Sequence, residues 1–174
     1  MHAAREISGW EKVQRRSRGI RLPIAGMGID LGGIGKEFAV DQLVLTAREM
    51  GIANVMVDIG QDIRVVGHPP GKDAWYIGLE EPDRPGECWT AARLTNQAVA
   101  TSGDYFRSFK IGARRYGHIL DPRSGMPVSN GCQAVSVIAA NCVMAGILST
   151  AAFILGAQEG LELIGEQRNV EACV

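Results

Sequence analysis

The chain has 174 residues, 46% of them hydrophobic, and its 18 basic and 19 acidic side chains leave a formal net charge of -1 at pH 7. This length predicts a single domain over residues 1–174, because domains usually contain roughly 100–200 residues. The near-neutral, dispersed charge argues against a nucleic-acid-binding face, and the absence of an apolar run of about 18 residues argues against a transmembrane segment.

The N-terminus shows no export signal, and the cysteines form no recognised motif, while the cellular location is otherwise left open by the sequence. Residues 1–11 contain four ionisable side chains and no apolar stretch of the kind found in signal peptides, so we expect a cytoplasmic location for the sequence as written. The cysteines form no C-x-x-C pair, which argues against a zinc site or a thioredoxin-like motif. We therefore expect reduced, structural thiols at Cys88, Cys132, Cys142 and Cys173.

The first half of the chain predicts strands around one helix. Apolar residues recur at helical spacing from Lys36 to Met50, and Gly51 is suited to end that helix. A turn at Gly60–Gln61–Asp62 separates two apolar, β-branched runs. In order, the predicted elements are strands at 11–14 and 19–22, a helix at 36–50, and strands at 54–60, 63–66 and 75–79.

The second half predicts more strands and two helices. A charged, proline-containing loop at 80–87 precedes a strand at 94–101, and Gly112–Ala113 is placed at the turn of a hairpin. The remaining predicted elements are hairpin arms at 106–111 and 115–120, a strand at 133–139, and helices at 145–155 and 157–165. Together these elements predict an α+β fold with a mixed antiparallel sheet and about three helices.

The segment Asp30–Lys36 has the composition of an anion-binding turn. Glycine-rich turns before a helix present backbone N–H groups that suit a phosphate. The segment is not a P-loop, because Glu37 follows Lys36 where Ser or Thr is required, and it does not match G-x-G-x-x-G. The alternative interpretation is a tight strand-to-helix turn that uses glycine for its backbone freedom alone.

Two further segments carry reactive side chains. Residues Thr101, Ser102, Gly103 and Asp104 combine two hydroxyls with a carboxylate, although ordinary turns use the same residue types. His118 ends a predicted strand, and an imidazole can accept a proton from a hydroxyl near neutral pH. The alternative for His118 is a partly buried histidine that packs at a strand end.

Five blocks of sequence contain these residues. They are GIDLGGIGKEFAVDQ at 28–42, VDIGQDIRVVG at 57–67, ATSGDYFRSF at 100–109, YGHILDPRSGMPV at 116–128 and VSVIAANCVMAGILSTAAFILG at 135–156. In order and spacing they resemble the FAD:protein FMN transferase (ApbE) family, and the resemblance covers the chain from about Trp10 to Val170. It implies a T-fold-like architecture and a shortened member that lacks the family's N-terminal part.

The resemblance also implies an enzymatic activity, flavinylation. With Mg²⁺, family members transfer the FMN moiety of FAD to a threonine hydroxyl of a target flavoprotein and release AMP, and some members instead hydrolyse FAD to FMN and AMP. Attack on a pyrophosphate needs a base, a divalent cation and backbone hydrogen-bond donors. Many members work outside the cytoplasm, tethered to a membrane.

The same resemblance implies roles for individual residues. His118 is the implied catalytic base. The implied metal ligands are the Gly33 carbonyl and the Thr150 hydroxyl. The implied FAD-binding residues are Asp30, Lys36, Thr101, Ser102, Gly103, Asp104 and Ile119.

The chain departs from the family pattern at three places. Gly146 stands where the family has a metal-binding aspartate, so we expect a weakened Mg²⁺ site, because Mg²⁺ prefers carboxylate oxygen. Gln61 replaces a glycine or asparagine. The missing N-terminal part is expected to leave sheet edges and apolar faces open, which favours homodimerisation, partner binding or poor solubility. The alternatives are a catalytically inactive FAD-binding module and, more remotely, an unrelated nucleotide-binding domain.

Overall fold

The computed structural model describes residues 2–84, 86–105, 108–112 and 114–174. The helices are α1 (His2–Glu6), α2 (Gly35–Glu49), α3 (Cys142–Leu155) and α4 (Ala157–Gly165), with a 3-10 turn at Trp10–Lys12. The strands are β1 (Gln14–Arg16), β2 (Gly19–Arg21), β3 (Val55–Ile59), β4 (Asp62–Val66), β5 (Trp75–Glu80), β6 (Cys88–Leu94), β7 (Ala98–Gly103), β8 (Ser108–Ile111), β9 (Arg114–Gly117), β10 (Leu120–Asp121), β11 (Met126–Pro127), β12 (Ala134–Ala139) and β13 (Glu171–Cys173).

A five-stranded antiparallel sheet forms the centre of the fold, in the order β13-β12-β7-β4-β3. β7 and β12 pair from Ala98 opposite Ala139 to Gly103 opposite Ala134. β3 and β4 form a hairpin that closes at Ile59 opposite Asp62. The β5–β6, β8–β9, β10–β11 and β1–β2 pairs are separate two-stranded ribbons.

Helices cover one face of this sheet, and the β5–β6 ribbon covers the other. On the helix side, Phe153 of α3 packs with Val135 and Val137 of β12 in one buried cluster. On the ribbon side, Leu94 and Val99 belong to a second cluster. Because side chains alternate across a strand, the even-numbered residues of β7, including Ser102, point toward α3, as the hydrogen bonds of Ser102 to that helix show.

Local features at both ends fix the position of α3. Asn141 caps the first turn, where its Oδ1 accepts a hydrogen bond of 2.8 Å from the Met144 backbone N–H. Gly156, with φ of 91°, ends the helix and allows α4 to begin at Ala157. Gly160 of α4 lies so close to Ala152 that an added Cβ would be 2.7 Å from the Ala152 carbonyl oxygen. The two helices therefore pack through a glycine contact.

The predicted α+β class and the three predicted helices are confirmed, with the short α1 as an addition. The strand predicted at 94–101 is wrong as one element. Leu94 ends β6, which the sequence did not indicate, and a turn with Asn96 at φ of 54° separates it from β7. The second arm of the predicted 106–120 hairpin ends at Gly117, so His118 lies beyond the strand; residues 106, 107 and 113 lie outside the described residues.

Apolar side chains remain exposed along α2, at Phe38, Leu43 and Leu45, and at Met50 directly after it. Homodimerisation stays a prediction. Within the described ranges, no helix has the length and apolar character that crossing a bilayer requires.

Candidate functional site

A cavity of about 600 Å³ opens at one end of the central sheet. It lies where the start of α2, the β3–β4 turn, the end of β7 and the middle of α3 meet. Nine of the ten site residues predicted from the sequence line it, namely Asp30, Gly33, Lys36, Thr101, Ser102, Gly103, His118, Ile119 and Thr150. Asp104 is not among the lining residues, and its Cβ instead lies beside Gly117.

The glycine-rich turn forms one wall of the cavity. Asp30 Oδ1 accepts a hydrogen bond of 2.7 Å from the Gly32 N–H, which folds the turn back on itself. The Leu31 carbonyl accepts from the Gly35 N–H at 2.7 Å, and α2 begins there without a capping side chain among the described residues. A Cβ added at Gly33 would meet no atom within 4 Å, so this backbone is open to the cavity. Such an uncapped helix start suits an anionic group.

The β3–β4 turn places the Asp62 carboxylate next to Lys36. Gly60 and Gln61 both have left-handed φ values, 64° and 72°, which is the pattern of a two-residue type I′ hairpin turn. The turn brings Asp62, only 5% exposed, into an ion pair with Lys36. The position of the lysine ammonium is therefore set by β4 as well as by its own helix.

A cluster of hydroxyl groups orients Thr150. The Ser102 Oγ lies 2.9 Å from Ser149 Oγ and 3.0 Å from Thr150 Oγ1. Ser149 in turn donates to the Gly146 carbonyl at 3.1 Å. Because Ser102 and Ser149 are buried, this network holds the Thr150 hydroxyl in one place at the cavity wall.

Glu37 is a cavity residue that the sequence analysis missed. Its side chain lines the cavity although the residue is only 5% exposed. Within the part of the chain that the structure describes, its Oε2 has no hydrogen-bond partner. Burial raises the pKa of this carboxyl, and the negative charge of Asp62 raises it further. One signal was available in the sequence, since Glu37 shares the buried face of α2 with Val40 and Val44.

His118 and Ile119 connect β9 to β10 and line the cavity. The His118 side chain is exposed, and Ile119 packs against the core cluster of α3. The Ile119 carbonyl accepts a hydrogen bond of 3.0 Å from the Val128 N–H. The following turn is tied by Arg123, whose guanidinium holds the pKa of the Asp121 carboxyl below its usual range. His118 therefore lies on a loop that is held by hydrogen bonds of Ile119 and Asp121, and it lines the same cavity as the glycine-rich turn.

A metal ion in this cavity requires backbone or hydroxyl oxygen as part of its ligand set. Among the residues described, no three His, Cys, Asp or Glu side chains are grouped closely enough to hold one. The predicted ligands Gly33 and Thr150 are donors of the required kind and line the same cavity. Hard cations such as Mg²⁺ accept carbonyl and hydroxyl oxygens together with a carboxylate.

Comparison with known proteins shows the family of this chain. The sequence profile of the ApbE family matches residues 1–174. The chain belongs to the ApbE family. It is 35% identical over 144 residues to the FAD:protein FMN transferase of Haemophilus influenzae, covering 82% of this chain and 41% of that protein. It is 32% identical over 162 residues to the Treponema pallidum FAD:protein FMN transferase, covering 88% and 45%.

Solved ApbE structures share the fold. The Thermotoga maritima ApbE protein superposes with a TM-score of 0.88 at 32% identity, covering 98% of this chain and 56% of that one. The flavin transferase ApbE from Vibrio cholerae gives a TM-score of 0.82 at 30% identity, covering 98% and 54%. The family and the fold expected from the sequence are confirmed, and the chain spans about half the length of the relatives it matches.

Proposed function

We propose that this ApbE chain carries the FAD-binding and catalytic cavity of an enzyme that transfers the FMN moiety of FAD to a threonine hydroxyl of a target flavoprotein, releasing AMP. One observation carries the proposal: residues from all five sequence blocks, including Asp30, His118 and Thr150, line a single cavity. Its volume, about 600 Å³, lies within the usual range for small-molecule sites. Relatives that carry the name FAD:protein FMN transferase support the reaction class.

The lining residues suit each part of this reaction. The exposed backbone of the glycine-rich turn at the start of α2 binds the pyrophosphate of FAD, with Lys36 as a nearby cation. His118 accepts the proton of the attacking threonine hydroxyl. The hydroxyl oxygen forms a bond to the phosphorus of the FMN half, the phosphoanhydride bond breaks, and AMP leaves with the bridging oxygen.

The oxygen donors fit a divalent cation. Gly33, Thr150 and Glu37 line the cavity, and one carboxyl oxygen of Glu37 is buried without a partner among the described residues. When bound, Mg²⁺ offsets the negative charge of the pyrophosphate oxygens. The role of Ser102 and Ser149 in this arrangement is to hold the Thr150 hydroxyl in place.

The test is intact-mass spectrometry of a threonine-bearing flavoprotein acceptor incubated with the chain, FAD and Mg²⁺. We expect the acceptor to gain one FMN, and we expect His118→Ala to abolish this gain while FAD still binds. His68→Ala is the matched control, since His68 is an exposed histidine in a loop and does not line the cavity. An unmodified acceptor, in an assay where a full-length relative works, would refute transfer.

Two other results would identify the alternative activities. Formation of free FMN and AMP without an acceptor would indicate an FAD hydrolase. FAD binding that is insensitive to Mg²⁺, with neither transfer nor hydrolysis, would indicate a binding module; the absence of a side chain at Gly146 is the observation that favours this second candidate.

A further inference from the structure

Glu37 occupies the space that a side chain at position 146 would fill. A Cβ added to Gly146 would lie 2.6 Å from Glu37 Cγ, 2.8 Å from its Oε1 and 3.0 Å from its Cδ. Such distances are shorter than non-bonded carbon contacts allow. Gly146 is itself buried in α3, so the Glu37 side chain in its present position requires that residue 146 carry no side chain.

We propose that the Glu37 carboxylate is the acidic metal ligand of this cavity and acts from α2 in place of a side chain at position 146 of α3. The inference rests on the proposed function, because it assigns a ligand within the same site. It revises the expectation that Gly146 leaves the site without a carboxylate. The acidic group is present, but a different helix supplies it.

The contacts of Glu37 favour a ligand role over a structural one. A buried carboxyl oxygen without a partner costs roughly 1–3 kcal/mol or more, and Oε2 has none among the described residues. A side chain that served only to fill the space beside Gly146 needs no charge, and a methionine or glutamine fills a similar volume. A cation that shares this oxygen with the Thr150 hydroxyl would satisfy it.

The other buried carboxylate of the lining, that of Asp62, has a structural partner. Asp62 is paired with Lys36, and the pair joins α2 to β4. Glu37 follows Lys36 directly in the chain but projects toward α3, where Gly146 lies. Glu37 is thus an acidic lining residue whose side chain lies against α3, at Gly146.

The experiment measures binding of Mn²⁺ by electron paramagnetic resonance of the free ion, with FAD present and without any acceptor. We expect Glu37→Gln, which keeps the shape of the side chain, to weaken Mn²⁺ binding by about 10–100-fold. Glu49→Gln is the matched control, because Glu49 is an exposed glutamate at the end of the same helix, and we expect it to bind like the unaltered chain. The double variant Glu37→Gly/Gly146→Asp moves the carboxylate back to α3, and we expect it to recover most of the affinity.

The outcomes separate this inference from the proposed function. FAD binding is measured in parallel by flavin fluorescence without metal, and a chain that does not bind FAD refutes the proposed function. If FAD binds but Mn²⁺ affinity is the same in the unaltered chain and in Glu37→Gln, Glu37 is not a ligand. If Glu37→Gln loses Mn²⁺ binding and the double variant does not recover it, the inference that Glu37 acts in place of a side chain at position 146 is overturned.

Discussion

Asp41 connects three elements that surround the cavity. Its Oδ1 accepts hydrogen bonds from the Arg64 guanidinium at 2.8 Å and from the Cys142 N–H at 2.9 Å, and its Oδ2 accepts from the Val143 N–H at 3.1 Å. One carboxylate thereby joins α2 to β4 and to the first turn of α3. We predict that Asp41→Ala is among the most destabilising single substitutions in the chain.

The expected magnitude follows from the burial of the pair. The side chains of Asp41 and Arg64 are only 10% and 16% exposed, so Asp41→Ala leaves a nearly buried guanidinium uncompensated. Breaking a buried ion pair in this way costs about 3–5 kcal/mol. The two lost bonds to the α3 amides add about 1 kcal/mol, as the loss of a helix cap does. We therefore expect a decrease of about 4 kcal/mol or more in the free energy of unfolding.

Urea unfolding followed by circular dichroism measures this change through the midpoint at constant slope. The informative control is Asp41→Ala/Arg64→Met, which removes both charges. Replacing a buried ion pair by apolar residues is often neutral. We therefore expect the double variant to recover most of the lost stability and to remain about 1 kcal/mol less stable than the unaltered chain, because the two bonds to the α3 amides are still missing. A loss below about 1 kcal/mol for Asp41→Ala, or a double variant as unstable as the single one, would refute this reasoning.

Three further substitutions or measurements test other parts of the fold. Gln61→Asn should raise the free energy of unfolding by about 0.5–1 kcal/mol, since asparagine adopts the left-handed conformation more readily than glutamine; lower stability in urea would contradict the turn assignment. Gly160→Ala should lower it by about 1–3 kcal/mol through overpacking, although helix propensity alone favours alanine. Gly165→Ala, where an added Cβ meets nothing within 4 Å, is its control and should not destabilise; equal thermal shifts would refute the close α3–α4 contact. Burial raises the pKa of the Cys142 thiol, so at pH 8 a thiol reagent should label the exposed Cys88 quickly and Cys142 only after unfolding; labelling of native Cys142 at the rate of Cys88 would contradict its burial.

Much of the architecture could be predicted from local signals in the sequence. The helical spacing from Lys36 to Met50 corresponds to α2, and the ends of the last helix match α4 at Ala157–Gly165. These features are local, because periodicity and terminating glycines act over a few residues. The failure at 94–101 was also local in origin, since Asn96 in a left-handed conformation interrupts a run that otherwise alternates like one strand.

The sequence by itself determined the family, through five ordered blocks, and most residues of the candidate site. The tertiary structure decided which of them share the cavity, and it left Asp104 outside the lining. Only the packing of α2 and α3 over one sheet shows that the side chain of Glu37 fills the space beside Gly146. The physical reason is that periodicity specifies which face of a helix is buried, whereas the contact between two side chains on different helices depends on how those helices pack across the sheet.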